Sequence, residues 1–408
     1  MKPQSFPVLA LAVTLSGILT TTLPFDPVHA GDGELQFRGN LETGLRLFNQ
    51  TALSAEQANS DLSVAATPEF FYSWNTSKDS IELVPFARID QRDKQRTHTD
   101  IREFSWVHIA DNWESRIGIR RVFWGVTEFQ HLVDIINQTD AVEDIDNEDK
   151  LGQPMLNLSL VRDLGILDFY VLPGFRERSF AGNKGRPRLA VINQDRPLYE
   201  SPAGRDHLDY ALRWSRSIGD VDLGLSGFRG TSREPSIIPS PDPAFATELV
   251  PFYPQITQLG LDLQVTTDTV LWKLEAIRNY NKQTNFSALQ AGLEYTQYGV
   301  FDSGADLGWL LEYGWDSRGK SGGSFNQNDL YLGTRLTLND ADSSELLVGL
   351  RLDRDFKSSS LLAEASKRFG DSIKISVDLR AFSFRNASDP LYSLRRDNHL
   401  QVTTQWFY

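Results

Sequence analysis

Apolar and polar residues alternate with a period of two along most of this chain, and no other feature constrains the fold so strongly. In the segment "ELQFRGNLETGLRLF", Leu35, Phe37 and Leu45 share one face, whereas Glu42 and Arg46 share the other. An α-helix would space its apolar residues by three and four, so this segment is predicted to be a β-strand. Its polar face carries too many charges for the core of a soluble β-sandwich, whose inner faces are apolar.

Eighteen segments of this kind follow one another, and their connections alternate between short and long. Every long connection follows an odd-numbered segment, so the long loops gather at one end of the predicted sheet. This asymmetry, with an even strand count, is typical of a bacterial outer-membrane barrel. We therefore predict an all-β fold, a transmembrane antiparallel up-and-down β-barrel of about 18 strands, with sixteen as the alternative count. The segments are 34–48, 62–76, 80–91, 98–110, 113–124, 155–163, 166–173, 207–216, 220–230, 256–268, 270–281, 286–298, 305–316, 328–339, 343–353, 358–369, 372–385 and 396–408.

The first thirty residues have the pattern of a secretory signal peptide. Lys2 precedes the apolar run "VLALAVTLSGIL", which is too short to span a membrane, and Ala30 offers a small residue at a cleavage site. We therefore predict a cleaved signal peptide over 1–30 and a single barrel domain over 31–408. Export of this kind places the mature chain in the outer membrane of a Gram-negative bacterium, with outer-membrane lipid as its surroundings.

The chain ends "HLQVTTQWFY", in the middle of an alternating segment. In an open sheet this would leave an unprotected edge, but a closed barrel pairs its last strand with its first. Trp406 and Tyr408 are then expected on the lipid side. Eight tryptophans lie near predicted strand ends or on the outward parity, as an aromatic girdle requires. They are Trp74, Trp113, Trp124, Trp214, Trp272, Trp309, Trp315 and Trp406.

The inward faces of the predicted strands carry both acids and bases, among them Arg38, Arg46 and Arg88. A barrel of eighteen strands is wide enough for an aqueous lumen, which such a mixture would line. Alternatively, these charges neutralise one another in cross-strand ladders and only solvate the wall. The net charge of −13, without a basic stripe, gives no indication of nucleic-acid binding.

The third long connection is strongly acidic. Residues 125–150 contain eight acids and Lys150 as the only base. Arg116 and Arg120 on the preceding segment are candidates for a basic wall opposite these acids. The next loop, 174–206, is basic, so the two loops could pair and narrow the mouth, or both could simply be exposed. The candidate pore residues of the acidic loop are Asp134, Asp140, Glu143, Asp144, Asp146, Glu148 and Asp149.

Metal and catalytic motifs are weak in this chain. An EF-hand loop starting at Asp144 would need Gly and Glu where Asp149 and Met155 stand, so the calcium motif fails. His207 and Asp209 share a strand face, but no nucleophile arrangement accompanies them. We therefore expect no cofactor, no structural metal and no enzyme activity.

The alternating strands and the final aromatic segment resemble outer-membrane porins and porin-like export barrels, with the eighteen-stranded alginate-export type nearest in size. The stretch "QNDLYLGTRLTLNDADSSELLVGLRLD" is similar to the C-terminal part of such barrels, and the last strand resembles the signal read by the barrel assembly machinery. By position and charge, the acidic loop resembles the constriction loop of general porins. The resemblance implies a channel for small hydrophilic or charged solutes; the alternatives are a substrate-specific export barrel or an outer-membrane enzyme. The oligomeric state stays open.

Overall fold

The computed structural model describes residues 28–30, 33–322 and 324–408. The predicted signal peptide lies outside the described residues, apart from Val28–Ala30, a short strand that pairs with the start of the next one. Within the described ranges, no helix is long and apolar enough to cross a membrane. The few helical segments are three-residue 3₁₀ turns in the long connections.

The described residues form twenty-two strands, and eighteen of these make one antiparallel barrel. The remaining four are β1, which extends the first barrel strand, and three strands in the long connections. In chain order the strands are β1 Val28–Ala30, β2 Gly33–Phe48, β3 Ser60–Trp74, β4 Asp79–Asp90, β5 His98–Ile109, β6 Trp113–Arg120, β7 Gln153–Arg162, β8 Gly165–Pro173, β9 Leu198–Tyr199, β10 Leu208–Ile218, β11 Val221–Thr231, β12 Ser236–Pro239, β13 Leu249–Tyr253, β14 Gln255–Thr266, β15 Val270–Tyr280, β16 Phe286–Val300, β17 Ala305–Asp316, β18 Asn328–Thr337, β19 Glu345–Asp353, β20 Ser359–Phe369, β21 Ile373–Ser383 and β22 His399–Phe407.

The barrel is closed by pairing of its last strand with its first. β22 runs antiparallel to β2, with Trp406 opposite Leu41, and the backbone of Tyr408 continues the ladder to Gly39. The rings of Trp406 and Tyr408 are both exposed on the outer surface, and the ring of Tyr408 packs beside Phe37. The predicted closure and the predicted count of eighteen are therefore confirmed.

The outer surface of the barrel is apolar. Leu41, Leu45, Leu259 and Trp309 are exposed although they lie in the middle of strands. In water such a continuous belt would be an aggregation hazard, whereas a hydrocarbon environment accommodates it. The described exterior is therefore that of a transmembrane β-barrel.

Two sequence predictions differ from the structure near β6. The predicted segment 113–124 ends at Arg120, and Trp124 is not part of an outward girdle, because the chain turns inward and buries its ring to 4% exposure. The ambiguous parity of segment 98–110 has a local cause: β4 and β5 shift register at Val84 and Pro85. Proline cannot donate to a ladder, and a bulge at that point resets the alternation.

The long connections lie together at one end of the barrel, as predicted, and the tight turns lie at the other. The connections after β8 and β11 contain the small sheet of β9, β12 and β13. The connection between β6 and β7, residues 121–152, is described below as the inner loop. The connection 174–207 between β8 and β10 is described as the cover loop.

Candidate functional site

The inner loop is attached by its backbone to two carboxylates on the barrel wall. Glu275 of β15 is fully buried and accepts hydrogen bonds from the N–H groups of Val126, Thr127 and Val133, at 2.7, 3.0 and 3.1 Å. Glu312 of β17 accepts in the same way from the backbone N–H groups of 128 and 129. Two inward-facing acids thus serve as acceptors for backbone donors that no secondary structure satisfies.

Apolar side chains of the inner loop pack against the same part of the wall. Val133 and Ile136 are fully buried, and Trp124 packs edge-on against Tyr170 of β8. The inward faces of β7, β8, β10, β11, β14, β15 and β16 supply the rest of this cluster. This part of the wall is apolar where the loop covers it. The cluster comprises Trp124, Val133, Ile136, Met155, Tyr170, Leu172, Ala211, Phe228, Ile256, Ile277, Phe286 and Ala288.

On its other side the inner loop contacts β2, β4 and β5 through ion pairs. Glu143 pairs with Arg88 at 2.7 Å, and its carbonyl oxygen accepts from Arg46. Asp140 pairs with Arg102 at 2.7 Å and with His98 at 3.0 Å. In the strand order around the barrel, β15 lies eight positions from β4, nearly half of the eighteen-strand ring. The inner loop therefore crosses the lumen from one wall to the opposite one.

The remaining candidate acids have different surroundings. Asp144 and Asp146 lie 3.6 and 2.9 Å from Arg380 of β21. Asp134 is buried against Lys150 at 3.1 Å, whereas Glu148, half exposed, lies 3.0 Å from the imidazole of His131. The structure thus brings most of the predicted acids together along the crossing. Asp149 is exposed and has no ion pair within 4.0 Å among the described residues.

Burial and neighbouring charges move the pKa values of these acids in opposite directions. Burial acts to raise the pKa of Asp140, but the hydrogen bond from His98 and the charge of Arg102 hold it well below its usual range. Burial and the neighbouring charge of Asp144 raise the pKa of Asp146 to about 8, against the effect of Arg380. Desolvation by the surrounding loop, with the charges of Glu143 and Asp144, also raises the pKa of Asp149 to about 7. Asp146 and Asp149 are therefore two acids of the inner loop whose charge changes near neutral pH.

The predicted arginines divide into two groups. Arg46 and Arg88 contact the inner loop directly, as described above. Arg116 and Arg120 do not form the wall opposite its acids: they lie near Glu114 and Glu103 on their own side of the barrel. Arg38 is exposed near the tight-turn end and pairs with Glu69. Three arginines that are not among the predicted pore residues complete the contacts with the loop: Arg96, Arg102 and Arg380, of which Arg380 is expected on the inward face of its strand.

The cover loop packs onto the inner loop from above. Ser179 donates to Asp140 at 2.6 Å, and Arg178 donates to the side chain of Asn147. Arg186 reaches across to the seam between β2 and β22, where it pairs with Asp397 at 2.7 Å. Of the two readings of the charged loops, exposure or pairing, the structure therefore shows contact between them.

Between these loops and strands β18 to β21 lies a cavity of about 910 Å³ on the long-loop side of the crossing. Its floor includes Phe129, Gln130 and Asp146 of the inner loop, and Arg351 and Arg380 line its wall. The ring of Phe129 stacks on Tyr331 with centroids 5.0 Å apart. The cavity thus lies between the long-loop end of the barrel and the crossing.

Two clusters have compositions that also occur in metal or catalytic sites. The ligand atoms of His98, Asp140 and Glu143 lie within 4.8 Å of one another, but guanidinium groups already occupy both carboxylates. Asp209 accepts from His207 at 2.7 Å and from Arg233 at 2.6 Å. The charged groups of both clusters already bind one another, so we assign both clusters to structural ion pairs.

The closed eighteen-strand barrel with an apolar exterior and a charged crossing has the architecture of a porin-like transmembrane barrel. No family model matches the chain, and no curated protein is similar to it. Solved structures of similar shape include engineered variants of the Rhodopseudomonas blastica porin. Two of them are 11% and 10% identical, with TM-scores of 0.45 and 0.46, and a triple mutant is 11% identical with a TM-score of 0.44. Each comparison covers 92% of this chain and all of the other. Values this low carry no argument about function, so the fold assignment rests on the strand pairing itself.

Proposed function

We propose that this protein is an outer-membrane channel for small hydrophilic or charged solutes, and that the inner loop constricts its lumen. The observation that carries the proposal is the crossing itself: Glu275 and Glu312 hold the loop on one wall, and Arg46, Arg88 and Arg380 hold it on the other. A loop bound at both sides cannot swing out into solvent without breaking buried ion pairs.

The charges around the crossing would govern which ions pass. Asp144 and Asp146 face Arg380 across a short gap, so a solute there experiences a field directed across the lumen. Low-dielectric walls strengthen such a field. Mixed charge at the narrowest part favours hydrated, polar solutes and excludes large apolar ones.

Thiol modification of single cysteines tests this proposal, because the native chain contains no cysteine. Gln130→Cys places a thiol on the inner loop at the floor of the cavity. A cationic methanethiosulfonate reagent should reduce the single-channel current of this variant in a planar bilayer. Asp371→Cys, on the exposed tight turn between β20 and β21, is the matched control and should keep its current.

The outcomes separate the channel from its constriction. If the native protein carries no ion current in a bilayer, the channel proposal is wrong. If current flows but the reagent leaves the Gln130→Cys variant unchanged, ions pass elsewhere and the inner loop does not constrict the path.

A further inference from the structure

The cavity above the crossing combines two features that a general aqueous pore does not need: unpaired guanidinium groups and an aromatic wall. We propose that it is a binding site for small aromatic carboxylates, which occupy it before they pass the inner loop. This inference rests on the proposed channel function and names a solute class for it.

The charge of the cavity lining favours an anion. Five arginines and two acids, Asp146 and Glu234, line the cavity. Three of the arginines pair with acids outside the lining, Arg318 with Asp316, Arg351 with Asp329 and Arg380 with Asp144, so the positive charge that no acid pairs with lies at Arg178 and Arg188 among the described residues. Burial raises the pKa of Asp146 to about 8, so near neutral pH the lining is more positive still. The arginines are Arg178, Arg188, Arg318, Arg351 and Arg380.

Arg351 has hydrogen-bonding capacity that the protein leaves unused. Its side chain is 11% exposed, and its Nη2 group lies 2.7 Å from Asp329. Its Nε and Nη1 groups are buried and have no hydrogen-bond partner within the described part of the protein. An unsatisfied buried donor of a charged group is costly, and a carboxylate in the cavity would satisfy it.

Two further arginines of the cover loop lack an acidic partner. Arg178 donates to Asn147, and Arg188 donates to the carbonyl oxygens of Gly182 and Asn183. In the described part of the chain, no carboxylate lies within 4.0 Å of either guanidinium. Burial lowers the pKa of both, which is the expected effect when a cation is removed from water without a counter-charge. A bound anion would supply that counter-charge.

The other part of the lining is aromatic. Phe129 stacks on Tyr331, and Phe382 stacks on Phe384 with centroids 5.6 Å apart. Gly333 and Gly349 make room for the first pair, because a Cβ at either would approach the ring of Phe129 to about 3 Å. The inward face of a hydrated barrel is ordinarily polar, so aromatic side chains in this cavity favour a solute that has an apolar surface.

A flat ring with one carboxylate matches both features at once. The ring would lie against Phe382 and Phe129, and the carboxylate would accept from Arg351. A simple inorganic anion would use only the arginines, and a neutral ring only the aromatic wall. The volume of about 910 Å³ lies in the usual range for small-molecule sites and leaves space for water beside the solute.

Benzoate, acetate and benzyl alcohol distinguish these cases in the folded full-length protein. Calorimetry measures binding, and the potassium chloride current in a bilayer measures block, so binding is scored even if the channel conducts poorly. We expect benzoate to bind and to reduce the current in a saturable way, and each of the other two probes to bind at least tenfold more weakly. Equal effects of benzoate and acetate, or of benzoate and benzyl alcohol, would overturn the proposal.

Variants locate the binding site. Arg351→Gln should weaken benzoate binding about tenfold, the usual scale for a hydrogen bond to a charged group. Phe382→Leu, which leaves the ion pairs intact, should weaken benzoate but not acetate. Arg354→Gln, on the exposed turn after β19, is the matched control and should bind as the native protein does. If Arg351→Gln and Phe382→Leu both fold and bind benzoate like this control, the site is elsewhere and the proposal is wrong.

Discussion

Arg88 and Glu143 form a double contact between the barrel wall and the inner loop, with the Nε atom of Arg88 2.9 Å from each carboxylate oxygen. Both side chains are almost fully buried, and Arg88 also reaches Glu42 at 2.8 Å. Fifty-five residues of chain separate the two partners, so this contact fixes the loop to a wall that is distant in sequence. Removal of the Arg88 guanidinium would leave the carboxylates of Glu42 and Glu143 without this cation.

Arg88→Met should therefore destabilise the protein strongly. Loss of one partner of a buried ion pair costs roughly 3 kcal/mol or more, because the remaining charge stays buried and unpaired. The free energy of unfolding in urea, measured on the folded protein in micelles, should fall by about that amount. Arg38→Met removes an arginine whose side chain is 71% exposed, and should change the free energy of unfolding by less than about 1 kcal/mol. Equal losses in the two variants would contradict the assigned role of Arg88.

Glu275→Gln should release the inner loop from the opposite wall. The glutamine amide has only one acceptor oxygen, so its NH₂ group would face backbone N–H donors that bind the carboxylate in the native protein. Each donor left without an acceptor costs about 1 to 3 kcal/mol of stability. The open-channel current should rise and fluctuate more. Glu345→Gln alters an exposed acid near the tight turns and serves as the control. An unchanged current in Glu275→Gln would show that this anchor does not set the width of the channel.

Ion selectivity should depend on pH through Asp146. Its pKa is raised to about 8, so the carboxylate gains its charge only as the pH rises through that value. The permeability ratio of cations to anions, from reversal potentials in a salt gradient, should fall as the pH is lowered from 9 to 7. Asp146→Asn should reduce this change, and the double variant Asp146→Asn, Asp149→Asn should abolish it, because the pKa of Asp149 is also raised, to about 7. Asp302→Asn on an exposed tight turn should keep the change. Because the folded-state pKa of Asp146 lies above that of the unfolded chain, its contribution to the free energy of unfolding falls as the pH rises from about 4 and is fully lost once the pH has passed about 8.

Arg186→Lys should loosen the cover loop without opening the barrel. The guanidinium of Arg186 donates to two connections at once, between β2 and β3 and between β21 and β22, and an ammonium cannot reproduce this planar set of donors. Proteinase K should cut within 174–206 faster, while the heat-dependent shift on gels stays unchanged. Arg196→Lys, 3.7 Å from Asp242 and largely exposed, should be cut at the native rate. The acceptors are the carbonyls of Gln50, Ala58 and Arg396 and the side chains of Asn59 and Asp397.

Deletion of residues 399–408 should prevent assembly in cells. The deletion removes β22 and leaves β2 and β21 with unpaired backbone groups in lipid, at several kcal/mol for each group. The measurement is surface labelling of the truncated protein, with the full chain as reference. Normal display of the shortened chain would contradict closure through β2 and β22.

The strands and their closure were predictable because each strand must alternate to face both lipid and lumen, and that pattern is local. Where the wall is covered from within, the local rule no longer holds. Trp124 is predicted in the girdle because it ends segment 113–124, yet it lies inside the barrel, where its ring packs against Tyr170 of β8. The bulge at Pro85 between β4 and β5 shifts the alternation by one residue, so the face on which Arg102 lies could not be predicted from the sequence pattern.

The partners of the acidic loop could not be predicted from its neighbours in sequence. Arg116 and Arg120 lie nearest along the chain, but the loop extends away from them and meets Arg88 and Arg380 instead. Arg380 comes 234 residues after Asp146. Contacts across a barrel depend on how far the loop reaches, and a single sequence does not encode that reach in any local pattern.

The crossing also has a mechanical consequence. A hollow cylinder of eighteen strands resists bending poorly, and lateral pressure from the bilayer tends to flatten it into an oval. The inner loop joins strands eight positions apart, at Glu275 on β15 and Arg88 on β4. It therefore links opposite sides of the barrel across its diameter. Flattening the barrel along that diameter would compress the inner loop, and widening the barrel would stretch the ion pairs of the loop. The polar contacts that narrow the passage would thus also keep the cylinder round.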